Sequence, residues 1–317
     1  MKTNPSTTIA ATLLIFCLSC KLISAQPSID NLLDQVETHL KSNQFQEAFG
    51  SLEQAATNTT INDTKERQKV IDHYIQLSRE TNYRSDGLTA YKICDSARNR
   101  FPKEPAILTQ WGKAALAIGK EQKEVLGAVA SSLSSTDNHS NDPETAALYQ
   151  ALMGINLTNL KDKDIVGNPT PQKTMVSEGI TKLQEAVKSD PRWFLPHFFL
   201  GRVYTSQKDY QRSIQSYEEG RKKNPNFFSH VDYVLLASLY NDQKQFIKTR
   251  ALLSEIPSRY PYLPGVHLML GEAEFGLENS VEAFYQVSYE LFIGGTESYF
   301  YNQTRDANVR LFQKYLT

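Results

Sequence analysis

The sequence predicts an all-α fold: a solenoid of about seven stacked helical hairpins, closed by a C-terminal capping helix. A recurring set of slots carries this reading. Leu200-Gly201, Tyr204, Ser213, Tyr217 and Gly220, closed by Pro225, return thirty-six residues later as Leu236-Ala237, Tyr240, Thr249, Leu253 and Pro261. Thirty-four further on they return as Leu270-Gly271, Ala283 and Val287, and thirty-four backwards as Gly179, Leu183, Ala186 and Pro191. Within the units the apolar residues fall at helical spacing, and Pro102, Pro191, Pro225 and Pro261 close second helices, where a missing N–H and a locked φ end them.

Upstream, Leu77-Ser78, Ala90, Cys94, Ala97 and Pro102 make another copy, and Trp111-Gly112 with Ala115 opens the next thirty-four residues on. The first copy reads Val36, His39, Ala48, Leu52 and Ala55. Its second helix lies forty-two before its equivalent, and the polar run from Thr57 to Thr64 is the expected home of the extra eight residues. The copies are placed at about 29–62, 71–104, 105–138, 143–192, 194–227, 230–263 and 264–297. In the fourth, helices are expected at 144–157 and 172–188, around an insertion at 159–171 whose Gly167, Pro169 and Pro171 cannot continue a helix. Gly112, Gly201, Ala237 and Gly271 are expected where paired helices cross, because a larger side chain there would force the axes apart. Asp63 with Glu66 has capping-box spacing, and Asp142-Pro143-Glu144 sets a cap before Pro at the first helical position.

The Leu-Gly-x-x-Tyr pattern, followed by small-x-x-x-aromatic-x-x-small and Pro, resembles the tetratricopeptide repeat (TPR). The defining residues are Leu200, Gly201, Tyr204, Tyr217, Pro225, Ala237, Tyr240, Pro261, Gly271 and Ala283, with Gly112 upstream. The copy from Phe194 to Phe227 departs from the family at His197, in the usual tryptophan slot, and at Ser213, where alanine is common. The resemblance implies a right-handed α-α superhelix whose concave groove takes peptides or proteins. It implies no reaction.

Residues 1–25 read as a secretory signal peptide: Lys2 precedes an apolar stretch from Ile9 to Ile23, and Ala25 offers a small residue for cleavage before Gln26. Thr12, Ser19 and Lys21 leave too short an apolar core for a spanning anchor. Two alternatives are a retained anchor and a lipoprotein signal, in which Cys20 would be the lipidated first residue. Either would tie the chain to a membrane. Otherwise the chain is expected to be exported, periplasmic or extracellular, as one repeat domain over 26–317. Cys17 and Cys20 have redox spacing, but both fall inside the removable segment. Cys94 alone remains, on the core stripe of a second helix, and reads as a buried thiol. Asn58, Asn62, Asn138, Asn156 and Asn302 each begin a glycosylation sequon.

The net charge of −1 gives no basic field for nucleic acid. The six histidines are scattered, with His197 and His267 in equivalent packing slots, and no zinc or EF-hand pattern occurs. Gly294-Gly295 trails a helix without the Lys-Ser/Thr of a phosphate loop, and no nucleophile elbow is present. The chain is therefore read as non-catalytic, without cofactor or metal.

In the resembled family, the residue just after the crossing slot faces inward and touches ligand. Here that position holds Glu37, Arg79, Lys113, Arg202, Ser238 and Glu272, with Asn82 and Asn241 one turn further. The candidate ligand groove is Arg79, Asn82, Lys113, Arg202, Asn241 and Glu272. Three basic members favour a carboxylate-bearing peptide; the competing reading is of ordinary solvated charges. The aromatic C-terminus (Tyr299 to Tyr301, then Val309, Phe312 and Leu316) is expected to form the cap at 303–316. The function expected is a protein- or peptide-binding scaffold outside the cytoplasm. The alternatives are an accessory subunit of an envelope enzyme or secretion complex, and a hydrolase with a site between repeats.

Overall fold

The structure, a computed structural model, describes residues 27–59, 64–134, 142–159, 170–227, 229–254 and 256–294. Every regular element among them is a helix. The chain divides into two compact units, residues 1–77 and 78–317, and the division falls inside one helix. Residues 1–25 with Cys20, expected as a signal peptide, the body of the fourth-copy insertion and the expected cap at 303–316 lie outside the described residues.

In the first unit, α1 (Ile29–Lys41) pairs with α2 (Phe45–Asn58). Ser28 starts α1 by accepting the Asn31 N–H at 3.2 Å. Leu32, Val36 and Leu40 form a buried stripe on α1, matched by Ala48, Leu52 and Ala55 on α2. The start of α3 (Thr64–Arg84) joins them through Lys69 to Asp30 at 2.7 Å and the Tyr74 hydroxyl donating to Glu53 at 2.5 Å. α3 has 21 residues where α1 has 13. The surplus assigned to the polar run at 57–64 therefore goes largely into two extra helical turns. Lys65, Glu66, Arg67 and Gln68 are polar, yet they are good helix formers.

The second unit continues with α4 (Gly87–Arg100), α5 (Pro105–Ala117), α6 (Gln122–Ser134), α7 (Pro143–Asn159) and α8 (Thr170–Ser189). It goes on through α9 (Leu195–Ser206), α10 (Tyr210–Lys223), α11 (His230–Asp242), α12 (Phe246–Leu253), α13 (Ile256–Arg259), α14 (Val266–Gly276) and α15 (Ser280–Gly294). Its hairpins are α5/α6, α7/α8, α9/α10, α11/α12 and α14/α15, each packed on its neighbour. One apolar cluster runs through them from Tyr83 to Val287. No described helix is long and apolar enough to cross a membrane.

One turn geometry recurs at the hairpin tips. Asn43, Gly119, Lys208, Lys244 and Glu278 all have φ between 56° and 79°. In each case the next N–H reaches back five residues: Gln44 to His39, Lys120 to Ala115, Asp209 to Tyr204, Gln245 to Tyr240 and Asn279 to Glu274. That left-handed residue with its back-reaching bond closes the first helix and reverses the chain in three residues, or four at the α5–α6 turn. Four of the five positions are not glycine, so glycine spacing gave no sign of them.

The crossing slots are tight. A Cβ added at Gly201 would lie 2.8 Å from the Tyr217 ring, and one at Gly112 3.2 Å from Val129 on the paired helix α6 and 2.7 Å from Leu148 on α7 of the next hairpin. At Gly154 it would stand 2.9 Å from the Gly179 carbonyl, and at Gly271 it would run into Val287. Ala237 is fully buried. Pro102, Pro191, Pro225 and Pro261 each stand two residues beyond a helix end. The second helix of the sixth copy is broken, α12 stopping at Leu253 and α13 resuming at Ile256. Pro257 is the reason: it has no N–H for the Leu253 carbonyl, and its ring would press against that group.

Candidate functional site

Two features of the second unit stand out: a buried charge network and an open cavity. The network gathers three of the six candidate groove residues, Arg79, Asn82 and Lys113. Lys113 on α5 is fully buried, with Nζ 2.7 Å from Asp190 Oδ2, just beyond α8. The Tyr83 hydroxyl lies between Asp190 Oδ2 at 2.7 Å and Glu144 Oε1 at 2.8 Å. Burial first, then these two carboxylates, push that phenol far above its ordinary range. Arg79 Nε donates to Glu144 Oε1 at 2.8 Å, and Gln110 Nε2 to Glu144 Oε2 at 2.6 Å. Asn82 is buried and donates to the Gln110 carbonyl at 2.9 Å. Cys94 lies under it, its thiol pushed up to about 12 mainly by burial.

The same use of side chains continues along the unit. Arg202 on α9 grips Asp232 on α11 through Nε and Nη2, both at 2.6 Å, and the Asp232 side chain is fully buried. Burial works against the Arg202 charge, but this bidentate grip outweighs it and raises the group. Asn241 donates to the Met269 carbonyl at 3.0 Å and reaches Glu272 at 3.4 Å. Lys113 is removed from solvent, while the Arg79 and Arg202 side chains stay 38% and 42% exposed although each is bonded to a carboxylate. Arg79, Lys113 and Arg202 each meet a carboxylate from a following helix or its flanking loop, so they join repeats.

Further bonds close the network over sequence distance. Arg192 pairs with Glu80 at 3.1 Å. Asn224 and Asn226, in the loop after α10, donate to the carbonyls of Ser85 and Arg84 at 3.0 and 2.7 Å. The last carbonyls of α3 are satisfied from a hairpin about 140 residues away.

Beside this closure lies a cavity of about 1150 Å³. One wall is the start of α4 with the α5–α6 turn, including Leu88, Ile118 and Glu121; the other comes from α9 to α13, including Phe199, Arg202, Arg221 and Tyr233. Leu88 is 55% exposed. The Arg221 guanidinium lies 5.2 Å from the Tyr233 ring centroid. Of the candidate groove residues only Arg202 lines this cavity. Arg221, Tyr233 and Leu88 were missed, because no spacing rule joins a turn near residue 119 to a helix near 221. Among the described residues no cluster of His, Cys, Asp and Glu is arranged for a metal. His267 makes a short contact to Gln286 and packs edge-on against Tyr289.

No protein-family model and no curated protein matches the chain. Solved structures similar to it include a tetratricopeptide repeat protein from Parabacteroides merdae (12% identity, 90% of this chain, 98% of that one, TM-score 0.40). Another is the C-terminal part of a TPR repeat-containing protein from Cytophaga hutchinsonii (13% identity, 76% and 85%, TM-score 0.41). A third is the P58(IPK) TPR domain (11% identity, 90% and 79%, TM-score 0.35). Superposition at that level is loose, and the fold assignment rests on the helix pairing and crossing geometry described above.

Proposed function

We propose that this chain is a non-catalytic scaffold that holds a peptide or protein partner, and that the partner enters the cavity between the α4–α6 turns and α9–α13. One observation carries the reading: a cavity of about 1150 Å³, larger than a typical small-molecule pocket, with apolar side chains such as Leu88 exposed at its rim. The buried network favours a rigid frame around it, since a preformed cavity binds with less ordering cost. The chain acts outside the cytoplasm in this proposal, on the strength of the apolar segment before Gln26.

Photo-crosslinking from position 88 tests the site in cells of the native host. A discrete partner adduct, absent when the crosslinker stands at exposed Gly50, is expected; no adduct at position 88 refutes the cavity as the binding site. N-terminal analysis of the exported protein is expected to begin at Gln26. A lipidated Cys20 or an intact Met1 would overturn that cleavage site.

A further inference from the structure

We infer that the cavity reads an acidic side chain on its partner, through Arg221, beside apolar residues seated on the opposite wall. This rests on the reading of the cavity as a peptide site and adds the chemistry of what enters it. Three cations line the cavity: Lys120, Arg202 and Arg221. Two are engaged. Lys120 lies 3.3 Å from Glu124, and the Arg202 fork is closed bidentately on Asp232.

Arg221 differs from both. It is half-buried and lies over the Tyr233 ring; its Nε–H is out of solvent with no acceptor, and no ion pair forms at it among the described residues. Glu218, one turn before it, feels the Arg221 charge, but its carboxylate accepts from Tyr240 and Lys248, so no carboxylate is bonded to the guanidinium to offset the cost of its partial burial. An incoming carboxylate recovers it through charge-assisted bonds to the exposed part of the fork.

The acids in the lining do not invert the preference. Asp86 spends both oxygens on Thr89, accepting its N–H at 2.9 Å and its hydroxyl at 2.7 Å. Glu121 is exposed and hydrated, so it gains little from a cationic ligand. Leu88 and Ile118 across the cavity supply apolar surface for residues flanking the acid. Charge complementarity thus favours a peptide bearing Glu or Asp between apolar side chains.

The test uses two fluorescein-labelled pentapeptide pools, blocked at both ends, with mixed Leu, Phe and Ala around a central Glu or a central Gln. Fluorescence anisotropy on the full chain is expected to show the Glu pool binding about tenfold tighter, the equivalent of ~1.4 kcal/mol. Arg221→Gln should bring the two pools within twofold, and Arg221→Lys, which keeps the charge, should retain part of the difference. Arg212→Gln, on the same helix but outside the cavity, should change nothing. Equal binding of both pools overturns the inference and leaves the peptide-site reading standing. Binding of neither pool overturns the inference, and the crosslink from position 88 then decides the reading separately. A loss of preference in Arg212→Gln equal to that in Arg221→Gln also overturns it.

Discussion

Lys113 Nζ lies 2.7 Å from Asp190 Oδ2 with both side chains removed from solvent, joining α5 to the segment after α8 across 77 residues of sequence. Removing one partner leaves the other charge buried and alone. Lys113→Met is therefore expected to destabilise the second unit by ~3–5 kcal/mol in urea unfolding. Adding Asp190→Asn should restore part of that loss. A cost below ~1 kcal/mol for the single variant would mean that the pair is solvated in solution.

The crossing glycines divide sharply from the exposed ones. Gly201→Ala puts a Cβ 2.8 Å from a fully buried tyrosine ring and should cost ~1–3 kcal/mol through overpacking. Gly127→Ala meets nothing within 4 Å at an exposed position of α6 and should stabilise by ~1 kcal/mol, since alanine favours the helix. Thermal melts of the two variants should move in opposite directions.

Lys244 and Glu278 hold φ of 56° and 65° at exposed hairpin turns. A side chain in that left-handed region costs ~1 kcal/mol relative to glycine. Lys244→Gly and Glu278→Gly are each expected to raise stability by up to ~1 kcal/mol, and additively, because they lie in different hairpins. A drop in the melting temperature of either would show that the side chain has a role beyond the turn.

His197 sits in the slot where the resembled family carries tryptophan. Burial first, then nearby Lys223, lower it to about 4, with Glu219 opposing. Between pH ~4 and ~6.5 the unfolded histidine takes up a proton that the folded one refuses. Its contribution to stability is therefore complete above pH ~6.5 and declines as pH falls toward 4. His197→Gln should remove that part of the slope, read as the difference between the two stability-versus-pH curves. Parallel curves would contradict the burial.

Much of the architecture was legible in the chain itself. Helical spacing, small residues at Gly201, Ala237 and Gly271, and prolines after second helices follow from contacts within a hairpin, where partners lie only 12 to 16 residues apart. The repeat register alone does not show the break at Pro257, which interrupts the second helix of the sixth copy without shifting the spacing of its slots. The capping-box spacing of Asp63 and Glu66 marks the start of α3 at Thr64, whereas the repeat register, which begins the second copy at 71, does not show the helix's extra turns.

The candidate site was far less legible. Position after the crossing slot marks which residues turn toward the next repeat, and it did pick out Arg79, Lys113 and Arg202. It could not supply their partners, which lie 65, 77 and 30 residues away. Whether a cation meets an internal acid or a free cavity depends on which helix arrives opposite it.

The sequence by itself determined the hairpin unit, its tight crossings and its stops, because those are local matters of sterics and backbone hydrogen bonding. Only the tertiary structure decided that three cations close ion pairs while Arg221, among the described residues, forms none. It also decided that the loop after α10 caps α3, enclosing a cavity between segments remote in the chain. Electrostatic pairing is set by distances of a few ångströms, and those arise only once stacking has brought distant repeats together.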